Sequence, residues 1–267
     1  MRTIARRHLV TLAVAALAAL GLAASVAAAP TRQAADTLNF CTDATYPPEE
    51  FYQGTKLVGS DIDIGTEIAK RLGLKVKFQN TGFDGIIAAL LAKKCDAIIS
   101  GMNDTPERRQ QVAFVDYLSV GQSLMVKQGN PKQIKTLKDL SGKSVSVEVG
   151  TTNKQFLDAE SKLLKKQGKP AIKVVTFPKD TDAASALKTG RVDAYFGDSP
   201  VVAYYIKRDA SLGYAGSPVN PIAVGMAIRK GDALIPKIQK AVNAAYADGT
   251  MKKILAKWQM AAFAYKK

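Results

Sequence analysis

The segment DIDIGTEIAKRLGLKVKF, residues 61–78, carries the two periodicities that decide the fold. Ile62, Ile68, Ala69 and Leu72 share one helical face and Gly73 supplies a stop, so residues 61–72 are predicted as a helix. Residues 75–78 then read as a strand. Upstream, residues 38–42 read as a first strand. Downstream, residues 84–92 read as a second helix and 97–100 as a third strand, completing a βαβαβ unit. The plan repeats after Leu140, with strands at 144–149, 172–177 and 194–197 and helices at 153–166 and 183–188. Two extended apolar pieces, 123–127 and 223–229, follow the first and second units and are predicted as crossing strands. Helices at 236–247 and 250–258 close the chain. The expected class is α/β, with two similar units joined by two extended crossings and a cleft at the strand C-termini, where open α/β sheets bind ligands.

The first residues stand apart. Arg2, Arg6 and Arg7 precede an apolar run from Leu9 to Leu22, and Ser25, Ala27, Ala28 and Ala29 offer small residues for cleavage. That pattern is a secretory signal peptide over residues 1–29, with a run shorter than the ~20 residues of a membrane span. No cysteine ends the run, so the mature protein is expected to be soluble and periplasmic rather than lipid-anchored. Roughly 240 residues remain, enough for a well-buried core.

Composition excludes several classes of chemistry. The single histidine, His8, falls in the leader, so the mature chain has no Ser-His-Asp or Cys-His catalysis and no imidazole metal site. No metal or cofactor is expected. Removing the three leader arginines from a total of +15 leaves +12, but the basic residues are scattered, without the basic runs of a nucleic-acid binder. Gly142-Lys143-Ser144 lacks the upstream glycine of a phosphate loop and reads as a turn. Cys41 and Cys95 are the only cysteines. In adjacent parallel strands they fall several residues out of register, so a bridge between them is not expected.

Four segments place polar groups where strands are expected to end. Residues 42–51 read TDATYPPEEF and residues 100–109 read SGMNDTPERR. Thr105 before Pro106 has the form of an N-cap with proline in the first turn, which places Arg108 to offer a planar fork to a carboxylate. Val149-Gly150-Thr151-Thr152-Asn153 again ends a strand and opens a helix. Gly197-Asp198-Ser199-Pro200 sets a carboxylate at a further strand end, suited to an ammonium group or to a plain helix cap.

Together, residues 43–51, 57–63, 83–87, 96–100, 105–108, 150–152, 190–194, 198–200 and 248–250 strongly resemble the polar amino-acid solute-binding proteins of ABC importers. The resemblance covers essentially all of the mature chain. It implies the two-lobed periplasmic-binding-protein fold, with lobe 1 at 37–121 plus 221–267 and lobe 2 at 122–220. It also implies that Arg108 binds the ligand α-carboxylate, aided by amides around Met102 and Thr152. Asp198, the Gly101 carbonyl and the Asn103 side chain take the α-ammonium. Tyr46 and Phe83 sandwich the side chain, and Asp43, Glu50, Ser100, Gly150 and Thr151 complete the implied pocket.

The implied partners are a free amino acid and an inner-membrane ABC permease, with the protein a monomer and not an enzyme. Glu49 stands where the family commonly has phenylalanine, and Asp104 where an apolar residue is common. With Asp43 they hint at a cationic ligand such as arginine or lysine, although Asp43 also fits the glutamine binders. A rival reading is a cyclohexadienyl dehydratase-like enzyme on the same scaffold, with Glu49 as general acid. A detached sensory domain is disfavoured because no membrane helix or signalling module follows Trp258.

Overall fold

A computed structural model describes residues 36–265, so the leader reading at residues 1–29 lies outside the described residues. An eight-stranded sheet forms the frame, with a separate three-stranded sheet beside it. Strands β1 (Thr37–Thr42), β2 (Thr45–Tyr46), β3 (Glu50–Gln53) and β4 (Lys56–Val58) open the chain. They are followed by α1 (Ser60–Arg71), β5 (Lys75–Asn80), α2 (Ile86–Leu91), β6 (Ala97–Ile98), α3 (Pro106–Arg109) and β7 (Val112–Lys127). Then come β8 (Ser144–Glu148), α4 (Thr152–Lys166), β9 (Lys173–Phe177), α5 (Asp180–Lys188), β10 (Ala194–Asp198) and α6 (Ser199–Arg208). The chain ends with β11 (Leu212–Arg229), α7 (Leu234–Ala247) and α8 (Thr250–Lys257).

The large sheet runs β5-β1-β6-β11-β7-β10-β8-β9. Strand β1 pairs in parallel with β5 and β6, and β8 with β9 and β10. Both βαβ units therefore aim their strand C-termini at loops, as parallel crossovers require. Between them lies the antiparallel pair β7 and β11. The sequence reading found only 123–127 and 223–229, whereas the strands run to 16 and 18 residues. Their pairing shifts register between Ala215 and Val219, and again before Ile222. Pro218 and Pro221 lie in this stretch and have no N–H to give a ladder, which accounts for irregular pairing where a bare periodicity reading loses the strand.

Burial follows the two units. One pair of apolar clusters, including Phe40, Ile64, Ile68, Tyr117, Met226 and Val242 in one and Cys41, Leu90 and Ile98 in the other, draws on residues 38–120 and 224–260. The other pair draws on residues 124–215 together with Tyr46. The small sheet β2-β3-β4 and helix α6 were not anticipated. The former is built of strands of two to four residues, too short for a period to register, and α6 begins at the Ser199-Pro200 pair that otherwise reads as a simple cap.

The expectation against a disulfide is overturned. Cys41 and Cys95 are bonded, with Cα atoms 5.7 Å apart. Cys41 is level with Ile98, but β6 starts only at Ala97, so Cys95 does not lie on the line of that strand. It belongs to the turn after α2, where Lys93 adopts φ 60°, and this turn folds it into the cluster of Cys41, Ile86 and Leu90. The bridge spans 54 residues of sequence, so removing it frees a long loop in the unfolded chain. The double variant Cys41→Ser, Cys95→Ser is expected to lose about 2–4 kcal/mol of stability in chemical denaturation. An unchanged stability would show that the cross-link constrains nothing.

Candidate functional site

Local geometry starts at the first turn of α1. Gly59 holds φ 141°, and a Cβ there would stand 1.9 Å from the Glu49 carbonyl oxygen, so only glycine fits. Because the chains approach so closely, the Ser60 and Asp61 amides donate to the carbonyls of Pro48 and Glu49. The 42–51 loop is thereby anchored to a helix N-terminus. Across the unit, the Thr105 hydroxyl accepts from the Arg108 amide at 3.2 Å with Pro106 at the first turn, which is the cap expected from the sequence. Thr151 caps α4 in the same way by accepting from the Lys154 amide.

These loops converge on one narrow cleft lined by Asp43, Tyr46, Phe83, Gly101, Asn103, Glu148, Thr151, Asn153 and Asp198. Arg108 flanks it, 7% exposed, with its guanidinium 5.3 Å from the centre of the Phe83 ring. Nη1 donates to the Asn103 carbonyl at 2.8 Å and Nη2 to the Gly150 carbonyl at 3.1 Å. The Asn103 side chain in turn donates to Asp198 at 3.2 Å and accepts from the Thr152 hydroxyl at 2.5 Å. Asn103 therefore holds a cation through its backbone and an anion through its side chain. Burial pulls the Arg108 pKa down to about 10, with the nearby Asp198 charge pushing back. The same burial raises Asp198 to about 6 against hydrogen bonds from Asn103, Asn153 and Tyr46.

Not every expected site residue faces the cleft. Ser100 is a floor element: its hydroxyl accepts from the Asp43 amide and donates to Glu50. Glu50 lies beneath it, fully buried, with its pKa driven well up by burial and by Asp61. Met102 packs in the Cys41 cluster, and Gly150 contributes the carbonyl that Arg108 holds. Asp104 is paired with Arg109 and does not line the cleft, so the charge hinted at for the pocket is absent there. Glu49 is 2% exposed and stands behind Gly101 rather than lining the cleft.

Two lining residues were missed by sequence reasoning, Glu148 and Asn153. Asn153 donates to Asp198 at 3.2 Å from the first turn of α4. It follows the Gly150-Thr151-Thr152 run directly, which was the available signal. Glu148 had none, since it closes a strand whose other residues read as core.

The model of the bacterial extracellular solute-binding proteins, family 3, matches residues 38–261. The chain belongs to that family. Among family relatives it is 34% identical to ABC transporter arginine-binding protein 1 of Escherichia coli (strain K12), over 84% of this chain and 91% of that one. It is 32% identical to the histidine-binding periplasmic protein of the same strain, over 90% and 94% respectively. A solved structure of an ancestral arginine-binding protein bound to arginine superposes on this solute-binding protein with a TM-score of 0.77. That alignment has 42% identity and covers 84% of this chain and 98% of the other. Among the described residues no group of side chains could hold a metal ion, and no helix is long and apolar enough to cross a membrane.

Proposed function

We propose that this family 3 protein is a periplasmic receptor that captures a free amino acid with a cationic side chain, arginine in first place, and delivers it to an inner-membrane ABC permease. The observation that carries the reading is the pairing at Asn103, which sets the Arg108 guanidinium and the Asp198 carboxylate side by side at one cleft. An α-amino acid is a zwitterion with the complementary charges on one carbon. Arg108 takes its carboxylate as a planar fork, and Asp198 its ammonium. Tyr46 and Phe83, which line the same cleft as Asp43, flank the side chain, and Asp43 meets its distal end.

Lobe 1 is then 37–121 with 221–267 and lobe 2 is 122–220, closing as a monomer about β7 and β11. The separate apolar clusters support that division. Export is supported by the leader pattern and by a disulfide, which persists outside the cytosol. The acid named for the dehydratase alternative, Glu49, does not line the cleft.

A thermal-shift screen of the mature protein against the common amino acids tests the reading. A ligand at a hundred times its Kd adds about 2.7 kcal/mol to stability, roughly 5–10 °C in Tm for a domain of this size. Arginine is expected to give the largest shift. If no amino acid moves Tm and prephenate or arogenate is turned over, the receptor reading fails.

A further inference from the structure

We propose that Glu148 joins Asp43 as a two-carboxylate jaw, one jaw from each lobe, that selects a guanidinium-bearing side chain. The inference rests on the receptor reading and adds to it the chemistry of the distal end. Glu148 ends β8, a strand in which Val145, Ser146 and Val147 are each no more than 1% exposed. An apolar residue would continue that core. Instead the carboxylate is 3% exposed, lines the cleft, and leaves its Oε1 atom without a hydrogen-bond partner. A buried acceptor with no donor is costly, so a group in this position calls for a donor from outside the protein.

Among the described residues no cation is hydrogen-bonded or ion-paired to Glu148. Arg108 gives two of its N–H donors to the Asn103 and Gly150 carbonyls and, in the receptor reading, the rest to the α-carboxylate, while Lys179, which is exposed, acts on Asp43. The other charges felt by Glu148 are Asp180, Asp43 and Asp198, all negative. Asp43 is anchored from behind, accepting from the Thr45 hydroxyl at 2.8 Å and the Phe83 amide at 2.7 Å, and each of its oxygens keeps a further lone pair. Besides Asp198, two carboxylates thus line the cleft, and among the described residues neither is ion-paired with a cation.

The three polar side-chain ends available differ in donor geometry. A guanidinium has five N–H donors in one plane and can serve two carboxylates at once, whereas an ammonium is a compact, strongly hydrated point charge. A glutamine amide has two donors and no charge. Selection therefore comes from the jaw, because the Arg108 and Asp198 clamp treats every α-amino acid alike.

Calorimetry of wild type, Glu148→Gln and Glu148→Leu with arginine, lysine and glutamine tests the assignment. Wild type is expected to bind arginine at least tenfold more tightly than lysine. Glu148→Gln should weaken arginine by roughly thirtyfold or more, the effect of losing one partner of a buried charged pair, and change glutamine less than threefold. Glu148→Leu, which removes the buried charge and so folds without penalty, should show the same loss of arginine preference. Equal losses for arginine and glutamine, or arginine binding within threefold of wild type in both variants, would overturn the jaw while leaving the receptor reading in place. Absence of amino-acid binding by the wild type would remove the receptor reading itself.

Discussion

Replacing Arg108 with alanine is expected to abolish binding of every amino acid, by about 3–5 kcal/mol, while the protein stays folded. The carboxylate is common to all candidate ligands, and its loss of a buried guanidinium partner leaves a charge with no fixed counter-ion. The side chain sits at the edge of the cleft rather than in an apolar cluster, so its removal leaves the cores intact. Arg108→Lys should recover only part of the affinity, because an ammonium cannot present the planar fork. Arg109 is the internal control. It is 56% exposed and ion-paired with Asp104, away from the cleft, so Arg109→Ala should bind as wild type does. Near-native affinity in a folded Arg108→Ala protein would take Arg108 out of the site.

Acidification should weaken ligand binding and strengthen the ligand-free fold at the same time. Asp198 has a pKa raised to about 6, and only its ionised form holds an ammonium, so its protonation is expected to cost affinity as pH falls through that value. Below about 6 affinity should fall by up to tenfold per pH unit. The ligand-free fold responds in the opposite sense. Asp61, Asp180 and Asp198 sit at about 6, 7 and 6 because burial disfavours their charged forms.

A carboxyl whose folded pKa lies above its unfolded value of 3.8 takes up a proton on folding. Its contribution is therefore fully present below about pH 4 and is lost as pH rises through 6 to 7. Raising one such carboxyl from 3.8 to about 6 corresponds to roughly 3 kcal/mol. Ligand-free protein should thus melt several degrees higher at pH 5 than at pH 8, while the increment that arginine adds becomes smaller. A ligand increment that is constant from pH 8 to pH 5 would contradict the role given to Asp198.

Much of the molecule is legible one residue at a time. Helical spacing at Ile62, Ile68, Ala69 and Leu72 and the stop at Gly73 correspond to α1, and Thr105-Pro106 to the cap that presents Arg108. These signals are local: a helix face and an N-cap depend on residues within one or two turns of each other. The placement of ligand loops at strand C-termini follows from the same alternation, because parallel strands joined by helices leave their ends on one side.

What the sequence determined by itself was therefore the α/β plan, the family, and the set of loops that meet at the cleft. Only the tertiary structure decided which side chains in those loops face a ligand. Ser100 and Glu50 turned out to be floor, Asp104 turned to Arg109, Glu148 emerged from an apolar strand, and Cys95 came over a helix turn to meet Cys41. Apart from Asp104, whose partner lies five residues on, those outcomes depend on how distant segments meet or on the direction in which a turn folds back, and neither periodicity nor spacing along one chain segment encodes a distance across the cleft.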